Sequence, residues 1–211
     1  MKIWDISPVI SEKTAVFPGD VPFSREVSMD TKKGHHLTLS AIRSTLHIGA
    51  HADAGNHYHK EGKGVEARPL ESYLGDCEVI AVKLPRGARI GIEHLNGRIP
   101  LAPRVLFKTN SFPDPDQWNN DFNSLSPELI EFLADRGAML VGIDTPSVDP
   151  VDSKALESHQ ALHRRNLAVL EGITLEQVTE GVYTLVALPL RMKDADASPV
   201  RAILINKETL L

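Results

Sequence analysis

His47-Ile48-Gly49-Ala50-His51-Ala52-Asp53-Ala54-Gly55-Asn56-His57 places four metal-donor side chains in eleven residues. Read as a helix, at about 100° per residue, His47 and His51 share a face while Asp53 and His57 point elsewhere. Read as extended chain, where side chains alternate with period two, all four odd-numbered donors project to one side. A straight strand would spread them over roughly 33 Å at about 3.3 Å per residue. The chain must therefore bend for them to converge, and Gly49 and Gly55 stand where a bend or a close backbone approach is easiest. The stretch predicts a glycine-bent, metal-binding strand rather than a His-rich patch. Imidazole nitrogen with carboxylate oxygen suits Zn²⁺, with Mn²⁺ or Fe²⁺ as alternatives. Structural zinc prefers closed, usually Cys-rich shells, and Cys77 is the only cysteine, so an open catalytic site is favoured. Taken singly, each His is as well explained as a surface or core residue; the grouping makes the case.

Further along, Ser158-His159-Gln160-Ala161-Leu162-His163 precedes Leu170-Glu171-Gly172. His159 and His163 stand at i, i+4, a helical metal-binding spacing. Glu171 lies too far along to share that helix. If the helix ends near Arg165 and the chain returns as a strand, Glu171 comes back beside His159. The simpler reading of His163 is a solvated helix residue, and of Glu171 a capping or Arg-paired acid.

Around these segments the pattern is mixed. Lys2 to Ile6, the alternating Leu37, Leu39 and Ala41, Cys77 to Leu84, Arg104 to Thr109, Ala138 to Ile143, Asn166 to Leu170, Val182 to Leu190 and Val200 to Ile205 read as strands or extended chain. Ser126-Pro127-Glu128 opens a helix with apolar face Leu129, Ile130, Leu133 and Ala134, which Gly137 ends. Ser158 and Thr174 are expected to cap two further short helices. The outcome is one α/β domain over residues 1–211, with a mixed, curved, barrel-like sheet and a few flanking helices. Net charge of -5 without a basic cluster argues against nucleic acid. No apolar run reaches the roughly 20 residues of a membrane helix, and the first residues lack a signal peptide's apolar core. The lone cysteine suits a reducing compartment, so a cytoplasmic location is expected.

The two donor clusters together resemble the cyclase-like metal-dependent hydrolase family, and within it the kynurenine formamidase branch. The resemblance runs nearly end to end. It includes Pro18-Gly19-Asp20, Thr38-Leu39-Ser40, the run from His47 to Ala54, Asp144-Thr145-Pro146-Ser147-Val148-Asp149-Pro150, Ser158 to Leu162, Leu188-Pro189-Leu190 and Asp194 to Arg201. It implies a swivelling β/β/α-like fold, a homodimer and two divalent ions, zinc or manganese. His47, His51, Asp53 and Glu171 would hold one ion, and His159 the other, with Asp53 and Glu171 bridging. His57 matches the family's proton donor and acceptor. The implied reaction converts the small molecule N-formyl-L-kynurenine to L-kynurenine and formate, a step of tryptophan degradation. The family typically has Trp before Pro-Gly-Asp, where the ring touches substrate; here that residue is Phe17, a smaller π face or simply a turn anchor. Rival readings are an isatin-hydrolase-like cyclic-amide hydrolase on the same scaffold and a non-catalytic metal-binding protein.

Overall fold

Period-two alternation sorts the strand side chains onto two faces, and those faces build the core. The computed structural model describes residues 2–206. Its strands are β1 (Ile3–Asp5), β2 (Ser24–Met29), β3 (Leu39–Arg43), β4 (His51–Asp53), β5 (Leu74–Ala81), β6 (Arg89–Ile90), β7 (Arg104–Lys108), β8 (Ser124–Leu125), β9 (Leu140–Ile143), β10 (Ala168–Glu171), β11 (Gly181–Val186), β12 (Ala197–Pro199) and β13 (Ile203–Asn206). The α-helices are α1 (Gly55–Tyr58), α2 (Pro127–Ala134) and α3 (Glu157–Arg165). Nine strands form one curled sheet in the order β1-β13-β11-β5-β7-β9-β10-β4-β12. β5, β7, β9 and β10 run parallel in its middle, and antiparallel strands extend it on both sides. β2 pairs with β3 as a separate hairpin, and β6 with β8. The expected α/β class with a mixed, curved sheet and few helices is what forms.

On one face, Cys77, Leu106, Leu140, Ala168 and Leu170 join one apolar cluster. On the other, Ile80, Val105, Phe107, Val141 and Val169 pack with Leu129, Ile130 and Leu133 of α2 and Ala161 and Leu162 of α3. Cys77 is fully buried, and burial pushes its thiol far above the ordinary value, so it is an inert core residue. The alternation places the donors as well. Glu171 continues the Val169 side of β10 and pairs in register with His51 of β4. Asp53 follows His51 two residues on. All three therefore stand on the helix-facing side of the sheet, at the carboxyl end of parallel β10, where α/β sheets place their ligand sites.

The local expectations change in four places. The extended reading of the donor run holds only for β4; residues 46–50 are bends, and Gly55 starts the single helical turn α1 that carries His57. Ser126 caps α2 by accepting from the Leu129 amide, but Ser158 does not cap α3. The cap position is Leu156, at φ 48°. The Ser158 hydroxyl instead donates to the Leu125 carbonyl and accepts from Arg89. Thr174 starts no helix: Ile173 and Leu175 are both buried in the core, an extended alternation, and the Thr174 amide donates to the Ile6 carbonyl. The strand expected from Val182 to Leu190 stops at Val186, before the Leu188-Pro189-Leu190 interruption. The pairing of β2 with β3, and the short β6, β8, β12, lacked a strong periodic signal.

Two glycines let the donor-bearing chains meet. Gly49 has φ +56° and Gly172 φ +64°, and a Cβ on Gly172 would lie 2.1 Å from the Gly49 carbonyl oxygen. Only a residue without Cβ fits that approach. Gly172→Ala is therefore expected to lower unfolding free energy by about 2–4 kcal/mol in urea denaturation; a change below about 0.5 kcal/mol would show that the contact relaxes freely.

Candidate metal centre

The bends before β4 aim the first donors. The left-handed Gly49 presents its carbonyl to His51, whose Nδ1 lies 2.8 Å away. With Nδ1–H donating there, the Nε2 lone pair faces the chamber. His47 has the opposite arrangement: its Nε2 donates to Asp196 Oδ2 at 2.9 Å, and its Nδ1 lies 3.0 Å from Asp53 Oδ1. His159 enters from the first turn of α3. Its Nδ1 is held by Asp149 Oδ2 at 2.8 Å, leaving Nε2 directed inward. Val148 donates its amide to Glu171 Oε1 at 2.7 Å, which fixes that carboxylate.

The distances divide the donors into two sets. Asp53 Oδ1 faces His47 and His51, the latter at 3.4 Å, while Glu171 Oε2 lies 3.3 Å from His51. The other oxygens, Asp53 Oδ2 and Glu171 Oε1, each lie 3.4 Å from His159 Nε2. The structure thus brings His47, His51, Asp53, His159 and Glu171 together, with each carboxylate spanning two groups of imidazoles. His51 Nε2, His159 Nε2 and both Asp53 oxygens are buried without a hydrogen-bond partner. Buried polar atoms are seldom left so. Converging lone pairs of N and O, orphaned and inward-facing, fit divalent cations.

Electrostatics agree. Burial alone would raise both carboxyl groups, and for Glu171 the Asp53 charge adds to this. The facing imidazoles reverse it and hold Asp53 and Glu171 below their ordinary range. Burial alone would depress His47, yet Asp53 and Asp196 raise it to about 9. The pocket is a concentrated anionic trap for a cation.

His57 stands beside this group. Its ring is 4.1 Å from that of His47 and 5.9 Å from that of His159, and its Nδ1 lies 3.8 Å from Asp196 Oδ2. Its donors also fall within ligand range of Asp53 and His159, and separately of His47 and Asp196. Burial lowers its pKa, with His47 and His159 pushing the same way against Asp53 and Glu171. It is half-open to a cavity of about 520 Å³ that the cluster also lines. Phe17 lines the same cavity, edge-on to Trp118 with ring centroids 5.2 Å apart. Trp118 in turn meets Phe112 and Phe122. His163 is elsewhere, stacked at 3.8 Å on His59.

Sequence reading missed the supports. Asp149 accepts from the Ser158 and His159 amides and from Arg89 as well as holding His159. Asp196 and Trp118 belong to the site too. The Asp/Pro-rich segments at 144–150 and 194–199 pointed to Asp149 and Asp196. Nothing local marked Trp118, whose loop is placed by tertiary packing.

A family model described as a putative cyclase matches residues 4–150. The chain belongs to the cyclase family. Among its relatives in that family, the kynurenine formamidase of Bordetella petrii is 47% identical over 96% of this chain and 97% of its own length. That of Delftia acidovorans is 42% identical over the same shares. A solved structure described as a potential metal-dependent hydrolase with cyclase activity superposes with a TM-score of 0.82 at 26% identity, covering 96% of each chain. Isatin hydrolase A of Labrenzia aggregata superposes at 0.81 and 22% identity, covering 98% of this chain and 94% of its own, a likeness of fold.

Asp149 fixes the tautomer and direction of His159, and removing such a partner typically weakens metal affinity about 10–100-fold. Asp149→Ala is expected to do so in a competition titration against a chromophoric chelator, with Asp149→Asn less affected; unchanged affinity in both would strip Asp149 of that role.

Proposed function

We propose that this cyclase-family chain is a kynurenine formamidase that hydrolyses N-formyl-L-kynurenine to L-kynurenine and formate. The full-length identity of 47% to the Bordetella petrii enzyme carries the substrate. The split carboxylates support the hydrolytic chemistry and two divalent ions, zinc or manganese: His47 and His51 would hold one and His159 the other, with Asp53 and Glu171 available to both. Bound there, such ions acidify water and act as Lewis acids toward a carbonyl oxygen. The chain's residues do the rest. Phe17, with Trp118 at its edge, offers the aryl ring an apolar wall. The cavity, which the cluster lines, orients the formamide toward it. His57 passes a proton to the leaving arylamine nitrogen as the C–N bond breaks, within reach of the cluster but with Asp196 rather than Asp53 nearest its Nδ1.

A cytoplasmic enzyme is in keeping with the single buried thiol. Among the described residues no helix is long and apolar enough to cross a membrane. A homodimer is supported by the β2–β3 hairpin: every residue of β3 is exposed, including Leu39 and Ile42, and an isolated two-stranded hairpin is marginally stable alone. A second copy of the chain covering it would remove that exposure. Light scattering should give twice the 23.2 kDa chain mass; a monomer at micromolar concentration would reject the dimer.

The enzymatic reading is tested by turnover of N-formyl-L-kynurenine and isatin side by side, before and after chelation and metal add-back. The formamide should be cleaved, activity should vanish with the metal and return with it, and isatin should be the poorer substrate. Preference for isatin would reassign the reaction. His57→Ala should retain metal and lose about 10²–10⁴-fold in kcat; loss of metal with rate would instead make His57 a ligand.

A further inference from the structure

The proposed substrate ends in a zwitterionic amino acid, and the site described so far has nothing assigned to receive it. The cavity beside the metal cluster holds one Lys or Arg side chain among its lining residues, Lys154. Lys154 is exposed and has no hydrogen bond or ion pair within the described residues, whereas other cations around this region are committed. Arg89 is bound to Asp149, Ser158 and Glu157. The cavity's carboxylates sort in the same way. Glu171 belongs to the metal cluster. Asp144 is buried and already accepts from the Thr109 amide and hydroxyl and the Asn110 amide. Asp20 is exposed, and its carboxylate accepts only the adjacent Val21 amide. Each charge sign therefore has one bearer without a charged partner in the lining of the cavity that Phe17 and Trp118 also line.

We propose that Lys154 is a specificity-determining residue that receives the substrate's α-carboxylate, with Asp20 receiving its α-ammonium. The inference rests on the kynurenine formamidase reading and deepens it. An ammonium on a flexible stem is suited to meet a carboxylate at an open cavity edge. Both ends of the substrate are then held: the formamide at the cluster by the aromatic wall, the amino acid by paired opposite charges. Such binding energy, remote from the reacting carbon, serves to position it.

The test compares N-formyl-L-kynurenine with 2′-formamidoacetophenone, which keeps the aryl formamide and ketone but lacks the amino-acid end. For metal-loaded Lys154→Met, kcat/KM on N-formyl-L-kynurenine should fall about 10-fold or more, chiefly through KM, while the neutral formamide changes less than about 2-fold. Lys154→Arg should keep most of the activity, and Lys154→Glu should be worse than Met. The wild-type preference for the charged substrate should shrink as salt is raised, because the contact is solvent-screened. Equal losses on both substrates, or none on either, would overturn the role of Lys154. If the wild type cleaves neither formamide, the formamidase reading itself falls, and this subsite with it.

Discussion

Two carboxylates, Asp53 and Glu171, are buried together in a chamber walled by His47, His51 and His159. Removing two like charges from water, side by side, is expensive unless positive charge meets them. Much of the architecture answers that cost. β4 and β10 lie adjacent so that His51 faces Glu171. Val148 gives its amide to one carboxylate oxygen. α3 is anchored through Asp149 and Arg89 so that His159 arrives with one nitrogen free. Even so, several buried donor atoms stay unpaired. The protein scaffold is thus an electrostatic structure with inward-facing donor atoms left open, as a cation site requires.

The donor set was legible in the sequence because its residue types are costly to bury without a purpose and because four of them are close together. Period two was the right clue for His51 and Asp53, which β4 carries. It was the wrong account of His47 and His57: a bend containing the left-handed Gly49 places the first, and the turn of α1 the second. The donors converge through backbone curvature rather than along one strand face. Glu171 could be matched to His159 only by supposing a return strand, and β10 is that strand. The strands of the apolar middle were readable from their composition. Of the β2–β3 hairpin only the alternation at Leu39 and Ala41 was readable, and its partner β2 and the edge pairing of β12 were not, since exposed or three-residue strands carry little periodic signal. Trp118 gains its place at the site beside Phe17, distant in the chain, so no local pattern could single it out.

The aromatic side of the cavity shows a similar division of labour. Phe17 stands before the Pro-Gly-Asp turn, and Trp118 approaches its edge from a separate loop, backed by Phe112 and Phe122. The wall is thus assembled from rings on two separate parts of the chain. Flat apolar area, rather than a particular residue, is what an aryl group requires from such a wall.

The topology has a consequence for biosynthesis. β4 is flanked in the sheet by β10 and β12, both encoded far downstream. While the chain emerges from the ribosome, His47, His51 and Asp53 appear long before Glu171, and β4 has no sheet neighbour to pair with. A chain that ends before His159 lacks two of the five clustered side chains. Closure of the cluster is thereby deferred until β10 has docked against β4.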